Sequence, residues 1–201
     1  MSEKNLERRQ IKLDKLEVRA AADGAPAKIV GHAAVFNSAA EIGSSFREQI
    51  MPGAFADSIG SDDVRALFNH DPNYVLGRNT AGTLRMSEDD IGLAIEVDPP
   101  DTQWARDLMV SIGRGDISQM SFGFCALEET WDYAEDGSAT RTLKKVRLFD
   151  VSPVTYPAYD DTDVAVRSLE QFRKAHPPAV KPDEAGHART LSARAKLAEI
   201  S

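Results

Sequence analysis

Between Leu16 and Tyr156 the apolar residues fall mainly at every second position, the period of strands with one face toward a core. Residues 16–20 alternate in this way, and residues 27–37 form an apolar, partly β-branched run. Asp23-Gly24-Ala25-Pro26 between them carries turn chemistry, so the pair predicts a hairpin. Residues 46–50 predict a short strand that Met51-Pro52-Gly53 breaks, with a brief helix around 52–58. A buried strand at 64–68 runs into Asn69-His70-Asp71-Pro72; Gly77-Arg78 and a turn at Thr80-Ala81-Gly82 come next. Strands at 83–86 and 92–97 flank a polar loop at 87–90, and Pro99-Pro100 ends that stretch because proline cannot donate to a ladder.

The period then changes. Trp104, Leu108, Met109 and Ile112 recur at helical spacing, with Asp101 or Thr102 as N-cap and Gly113 or Gly115 as the stop. Two long strands follow, at 117–130 and 143–156, around a hairpin loop marked by Gly137. Strands dominate, with two or three helices, so the expected class is α+β and mostly β. Residues 1–14 are polar and charged and are expected to be a flexible N-terminus, ahead of a folded domain at 15–168. The tail, 169–201, differs in composition. A helix at 163–174 is cut by His176-Pro177-Pro178 and Lys181-Pro182, residues 176–189 read as a linker, and 190–200 as a short helical segment. No internal repeat is present.

Composition narrows the class. The 201 residues are 42% hydrophobic and 28% charged, ordinary for a soluble globular chain, with no apolar run long enough for a membrane helix. The charged N-terminus lacks the apolar core of a secretory signal, and the single cysteine, Cys125, fits a reducing compartment; a cytoplasmic protein is expected. A net charge of −8 with dispersed acids argues against nucleic acid as the main partner. The four histidines show no metal-ligand spacing, so neither a metal nor another cofactor is expected.

Candidate chemistry centres on a serine and a histidine. A serine hydroxyl becomes a nucleophile only with a base in hydrogen-bond reach and a group that orients the base. His176 and His187 lie in the Pro-rich tail, and His32 sits inside an apolar strand, where a core role is expected. His70, at a strand end before Asp-Pro, is the remaining candidate base; a polar strand end is its bland alternative. In Ile117-Ser118-Gln119-Met120-Ser121-Phe122-Gly123-Phe124, alternation puts Ser121 with Gln119 and Gly123, opposite the core-facing Met120, Phe122 and Phe124. Ser121 is then either an outward polar residue or a nucleophile with backbone room beside it. Cys125, on the same alternating face, is a minor rival. Asp150, inside an apolar strand, needs a partner, either a histidine or an arginine such as Arg78 or Arg147.

Five stretches in order resemble the prohead maturation proteases of tailed bacteriophages. They are Gly31-His32-Ala33-Ala34-Val35-Phe36-Asn37; Met51-Pro52-Gly53-Ala54-Phe55; Leu67-Phe68-Asn69-His70-Asp71 with Leu76-Gly77-Arg78; the Ser121 run; and Asp150-Val151-Ser152-Pro153-Val154 with Tyr156-Pro157-Ala158. The resemblance covers residues 15–168. It implies a closed or partly closed β-barrel surrounded by a few helices, distantly similar to the herpesvirus capsid assembly protease. It also implies a serine endopeptidase with His70, Ser121 and an acid at Asp150, where relatives often carry glutamate. Arg78, Phe122 and Gly123 are the candidate oxyanion and substrate-binding residues. The implied partners are the major capsid protein and scaffold, cut inside the assembling prohead in the host cytoplasm, with self-cleavage removing the tail. Homo-oligomerisation is left open. A non-catalytic capsid assembly or scaffolding module on the same fold is the alternative.

Overall fold

The computed structural model describes residues 6–12, 16–19, 27–42, 46–134, 138–156, 169–170 and 173–174. The strands are β1 (Glu7–Lys12), β2 (Glu17–Arg19), β3 (Lys28–Val35), β4 (Ala40–Ile42), β5 (Phe46–Ile50) and β6 (Arg65–Phe68). They continue with β7 (Asp71–Arg78), β8 (Leu84–Glu88), β9 (Gly92–Val97), β10 (Gln119–Tyr133) and β11 (Ala139–Val154). The helices are α1 (Ala56–Ser61) and α2 (Gln103–Gly113), with a 3-10 turn at Asn79–Ala81. No helix among the described residues is long and apolar enough to cross a membrane.

One sheet runs β1-β10-β11-β5-β4, and the far edge of β11 is shared. β5 pairs parallel with its start (Arg47 opposite Thr140, Ile50 opposite Leu143), and β6 parallel with its end (Arg65 opposite Asp150, Ala66 opposite Val151); β7 lies outside β6. The second sheet runs β2-β3-β9-β8. The fold is mostly β, as the alternation predicts, but among the described residues neither sheet pairs into the closed ring that a barrel requires.

Alternation places Met120, Phe122 and Phe124 of β10 in the core, all wholly buried. Phe122 stacks on Phe124 at 5.1 Å and meets Phe55 edge-on at 5.7 Å; Phe55 in turn lies 6.2 Å from Phe36. Such geometries add to the area the rings remove from water. α2 buries Ala105, Leu108 and Ile112 along one stripe, and the chain leaves it through Gly115 at φ +81. Thr102 is its N-cap in backbone terms, although its hydroxyl makes no capping bond.

Several expectations are corrected. Residues 7–12 are the edge strand β1, not part of a flexible terminus. The charges of Glu7 and Arg9, which suggested solvent, are buried and paired. Arg9 bonds Glu48 (2.6 and 2.9 Å) and Glu7 (2.6 Å), and Arg141 bonds Glu7 (2.7 and 2.9 Å), Glu48 (3.0 Å) and Glu129 (2.7 Å from Nε). Burial works against the charge of Arg9 and Arg141, and the surrounding carboxylates hold both guanidinium groups above their ordinary range. The helix expected at 52–58 begins four residues late, because Gly53 at φ +90 opens a turn whose Gly53 and Phe55 amides donate to the Glu88 carboxylate at 2.9 and 2.8 Å. β7 was not legible: its first half is an exposed outer edge, so Asp71-Pro72-Asn73 carries turn chemistry and no alternation, and an edge tolerates proline. His32 is not a core residue; its Nε2 lies 2.8 Å from Asp89 on the rim of a 530 Å³ groove over the second sheet.

The chain divides into two units, Met1–Arg167 and Ser168–Ser201. In the second, residues 169–170 and 173–174 are helical; the expected linker and terminal helix lie outside the described residues.

Glu48 binds both buried arginines. Glu48→Ala leaves them short of an acceptor and is expected to cost about 3–5 kcal/mol of stability, measured by urea denaturation. A loss under about 1 kcal/mol, the scale of an exposed pair, would show that the network is solvated.

Candidate active site

The site is built on the pairing of β10 with β11. Their antiparallel register sets Ser121 opposite Ser152 and Gly123 opposite Asp150, which brings serine and acid to one face of the sheet. Both strands are buried on both faces here: Ser121 and Ser152 have no exposed surface. Ser121 is therefore not the outward polar residue that alternation allowed. What covers it is His70.

His70 reaches the sheet from the turn between β6 and β7. β6 runs parallel beside the end of β11, and the Asn69 amide extends the pairing by donating to the Pro153 carbonyl at 3.0 Å. The chain then reverses through two consecutive left-handed residues, Asn69 at φ +53 and His70 at φ +58. Outside glycine this region is sparsely populated, with asparagine, aspartate and histidine over-represented, and it persists where the surroundings hold it. Thr155 supplies that hold, donating its amide to Asn69 Oδ1 (2.9 Å) and accepting from Asn69 Nδ2 at its hydroxyl (3.2 Å). Asp71 closes the turn from the other side by accepting the Asn73 amide at 2.8 Å.

The imidazole so placed is bonded at both ends. Nδ1 lies 2.5 Å from Asp150 Oδ1, and Nε2 lies 2.7 Å from Ser121 Oγ. Ser152 also donates to Asp150 Oδ1, at 2.7 Å. Gly123 leaves space for the acid: a Cβ there would sit 2.4 Å from Asp150 Oδ2. A base between a hydroxyl and an orienting carboxylate can take up a hydroxyl proton and stabilise the resulting charge.

Among the sequence candidates, His70, Ser121 and Asp150 are brought together; the others are not. Arg78 gives Nε and Nη2 to Asp63 at 2.7 and 2.6 Å, and this pair holds the Asp63 carboxyl down at about 2. Arg147 lies 3.5 Å from Asp62 and over the Phe149 ring. Neither arginine partners Asp150. The Phe122 side chain is core and wholly buried, so the substrate contact expected of it is corrected. Gly123 makes room for the acid. Burial, followed by the Glu7 charge, pushes the Cys125 thiol up, away from the thiolate that a cysteine nucleophile needs. No group of three or more metal-ligating side chains occurs among the described residues. Three contributors went unnoticed in the sequence: Ser152, Asn69 and Thr155. Ser152 was within reach, since alternation puts it on the face of Asp150 two residues earlier.

Residues 14–175 match the family described as caudovirus prohead serine protease. The chain belongs to that family. Membership makes it a protease of phage prohead maturation. Among solved structures it is similar to the bacteriophage T4 capsid assembly protease, gp21, with 9% identity and a TM-score of 0.49 over 76% of this chain and 98% of that one. No curated protein matches.

Gly123→Ala is expected to push the Asp150 carboxylate away and break its bond to His70 Nδ1. The low-field imidazole N–H proton resonance should then disappear or move upfield. An unchanged resonance in the folded variant would refute the packing argument.

Proposed function

We propose that the chain is a serine endopeptidase in which Ser121 is the nucleophile, His70 the general base and Asp150 the group that orients it. The observation that carries this reading is the two-ended bonding of His70. An ionised carboxylate only accepts, so Nδ1 bears the ring proton and the Nε2 lone pair faces the Ser121 hydroxyl. As Oγ bonds to the scissile carbonyl carbon, its proton passes to Nε2. The tetrahedral intermediate then collapses with loss of the C–N bond, and the imidazolium protonates the leaving amine. Water repeats the sequence on the acyl-enzyme. The oxyanion needs preorganised donors; Arg78 is bound to Asp63, and residues 119–123 of β10 are paired on both sides, by β1 and β11.

In this reading the substrates are the capsid precursor and scaffold proteins of the prohead assembling in the host cytoplasm, and family membership supports that class. The chain also cuts itself in the region that follows the folded unit, near residues 168–190.

Ser121→Ala is expected to lower processing of the capsid precursor by about 10⁶-fold, and Asp150→Asn by about 10⁴-fold, with the fold retained. Mass spectrometry of precursor and enzyme over time gives both rates and shows any truncation of the tail. Processing by Ser121→Ala at the wild-type rate would sink the assignment. A wild-type chain that leaves precursor and itself intact would favour the assembly-module alternative. A thiol reagent should leave the wild-type rate unchanged; loss of activity with the reagent, matched by loss of activity in Cys125→Ala, would point to the cysteine instead.

A further inference from the structure

β1 pairs with β10 directly across the nucleophile: Arg9 stands opposite Phe122, Gln10 opposite Ser121, and Ile11 opposite Met120. Antiparallel partners share a face, with Cβ atoms about 4.5–5.5 Å apart. Gln10 therefore stands beside Ser121 on the face that carries His70, while Glu7 and Arg9 turn to the opposite face. There Glu48 and Arg141 clamp them, so β1 cannot slide along β10 without breaking buried ion pairs.

Gln10 is half-buried as a residue, and its Nε2 donates to the main-chain carbonyl of Tyr156 at 3.0 Å in an exposed bond. Tyr156 follows Thr155, the residue that holds Asn69. Gln10 thus ties β1 to the exit of β11, which in turn holds the His70 turn through Thr155. Proton transfer makes no use of Gln10, because Asp150 and Ser121 occupy both imidazole nitrogens. A carboxamide sets an acceptor beside two donors, which matches the C=O and N–H of an extended peptide. Gln10 already holds one main-chain carbonyl, that of Tyr156.

We propose that Gln10 is a substrate-positioning residue: its carboxamide exchanges the Tyr156 carbonyl for the main chain of the protein substrate beside the scissile bond. This rests on the reading of Ser121 and His70 as the peptidase machinery. Because Gln10 engages main chain, it selects for an extended polypeptide irrespective of side chain, and β1 forms one wall of the cleft.

The test uses the full chain carrying Gln10→Ala or the near-isosteric Gln10→Glu, which keeps an acceptor and loses both donors. The substrate is a fluorogenic peptide spanning the scissile bond mapped in the cognate capsid precursor. Labelling of Ser121 by a small fluorophosphonate, which has no peptide main chain to position, is measured beside it. Both variants should raise KM about tenfold, the loss of one hydrogen bond to substrate, while kcat and the labelling rate stay within about twofold of wild type. A wild-type KM in either folded variant overturns the proposal. So does a parallel fall in cleavage and labelling, which would mark Gln10 as merely structural. Failure of the underlying reading looks different: wild-type protein would not be labelled at Ser121.

Discussion

The register between β10 and β11 is the constraint on which the rest depends. It sets Ser121 opposite Ser152 and Gly123 opposite Asp150, and no residue of the site could be in place without it. Side chains alternate with a period of two, so a slip of one residue would exchange the chemistry for the core: Phe122 would face His70, and Ser121 would face Phe55. The same pairing that buries Met120, Phe122 and Phe124 against one layer therefore presents nucleophile and acid to the other. The register shifts of this pairing come directly after the Gly123–Asp150 pair, at Gly123/Phe124, and again after Ala126, so the segment from Gln119 to Gly123 is paired without a break.

On this base the histidine is delivered by backbone geometry that ordinary residues avoid. Two left-handed residues in succession turn the chain so that His70 crosses from β6 over β11 to β10. The cost is offset locally, by the Asn69 amide on Pro153 and the paired bonds between Asn69 and Thr155. Strain held by identifiable bonds beside a bonded Ser-His-Asp row is the pattern expected where a turn is shaped for a site rather than for stability.

Much of this was legible in the sequence, for reasons that also explain what was not. The alternating strands β5 and β9 announce themselves, as do the apolar, β-branched run of β3 and the stripe of α2. β1 did not, because Glu7 and Arg9 read as solvated charges until Glu48 and Arg141, distant in sequence, neutralise them. β7 did not, because an exposed edge carries no burial signal. In the site, residue chemistry left Ser121, His70 and Asp150 each with a plain alternative, and pattern alone could not say that Asp150 meets a histidine and not Arg78 or Arg147. That question is decided by Asp63 and Asp62, which take the two arginines. The role of Gly123 depends on a cross-strand neighbour and has no local signature.

The buried position of the site ties activity to folding. Ser121, Ser152 and Asp150 are buried, so each polar group must find its partner in the protein. Asp150 is satisfied by His70 and Ser152, and Ser121 by His70. Removing the imidazole would thus leave a carboxylate and a hydroxyl buried and under-bonded, a structural penalty as well as a chemical one. The ion network on the opposite face obeys the same rule, with Glu7, Arg9, Glu48 and Arg141 each bonded to at least two others. One sheet therefore carries two desolvated polar clusters on its two faces. The first anchors β1, and the second joins β10 and β11 to the His70 turn. Each cluster is complete only when strands far apart in sequence have met in register, so a chain with a wrong register would bury unpaired charge on one face or the other. Specificity of folding and assembly of the site follow from the same requirement.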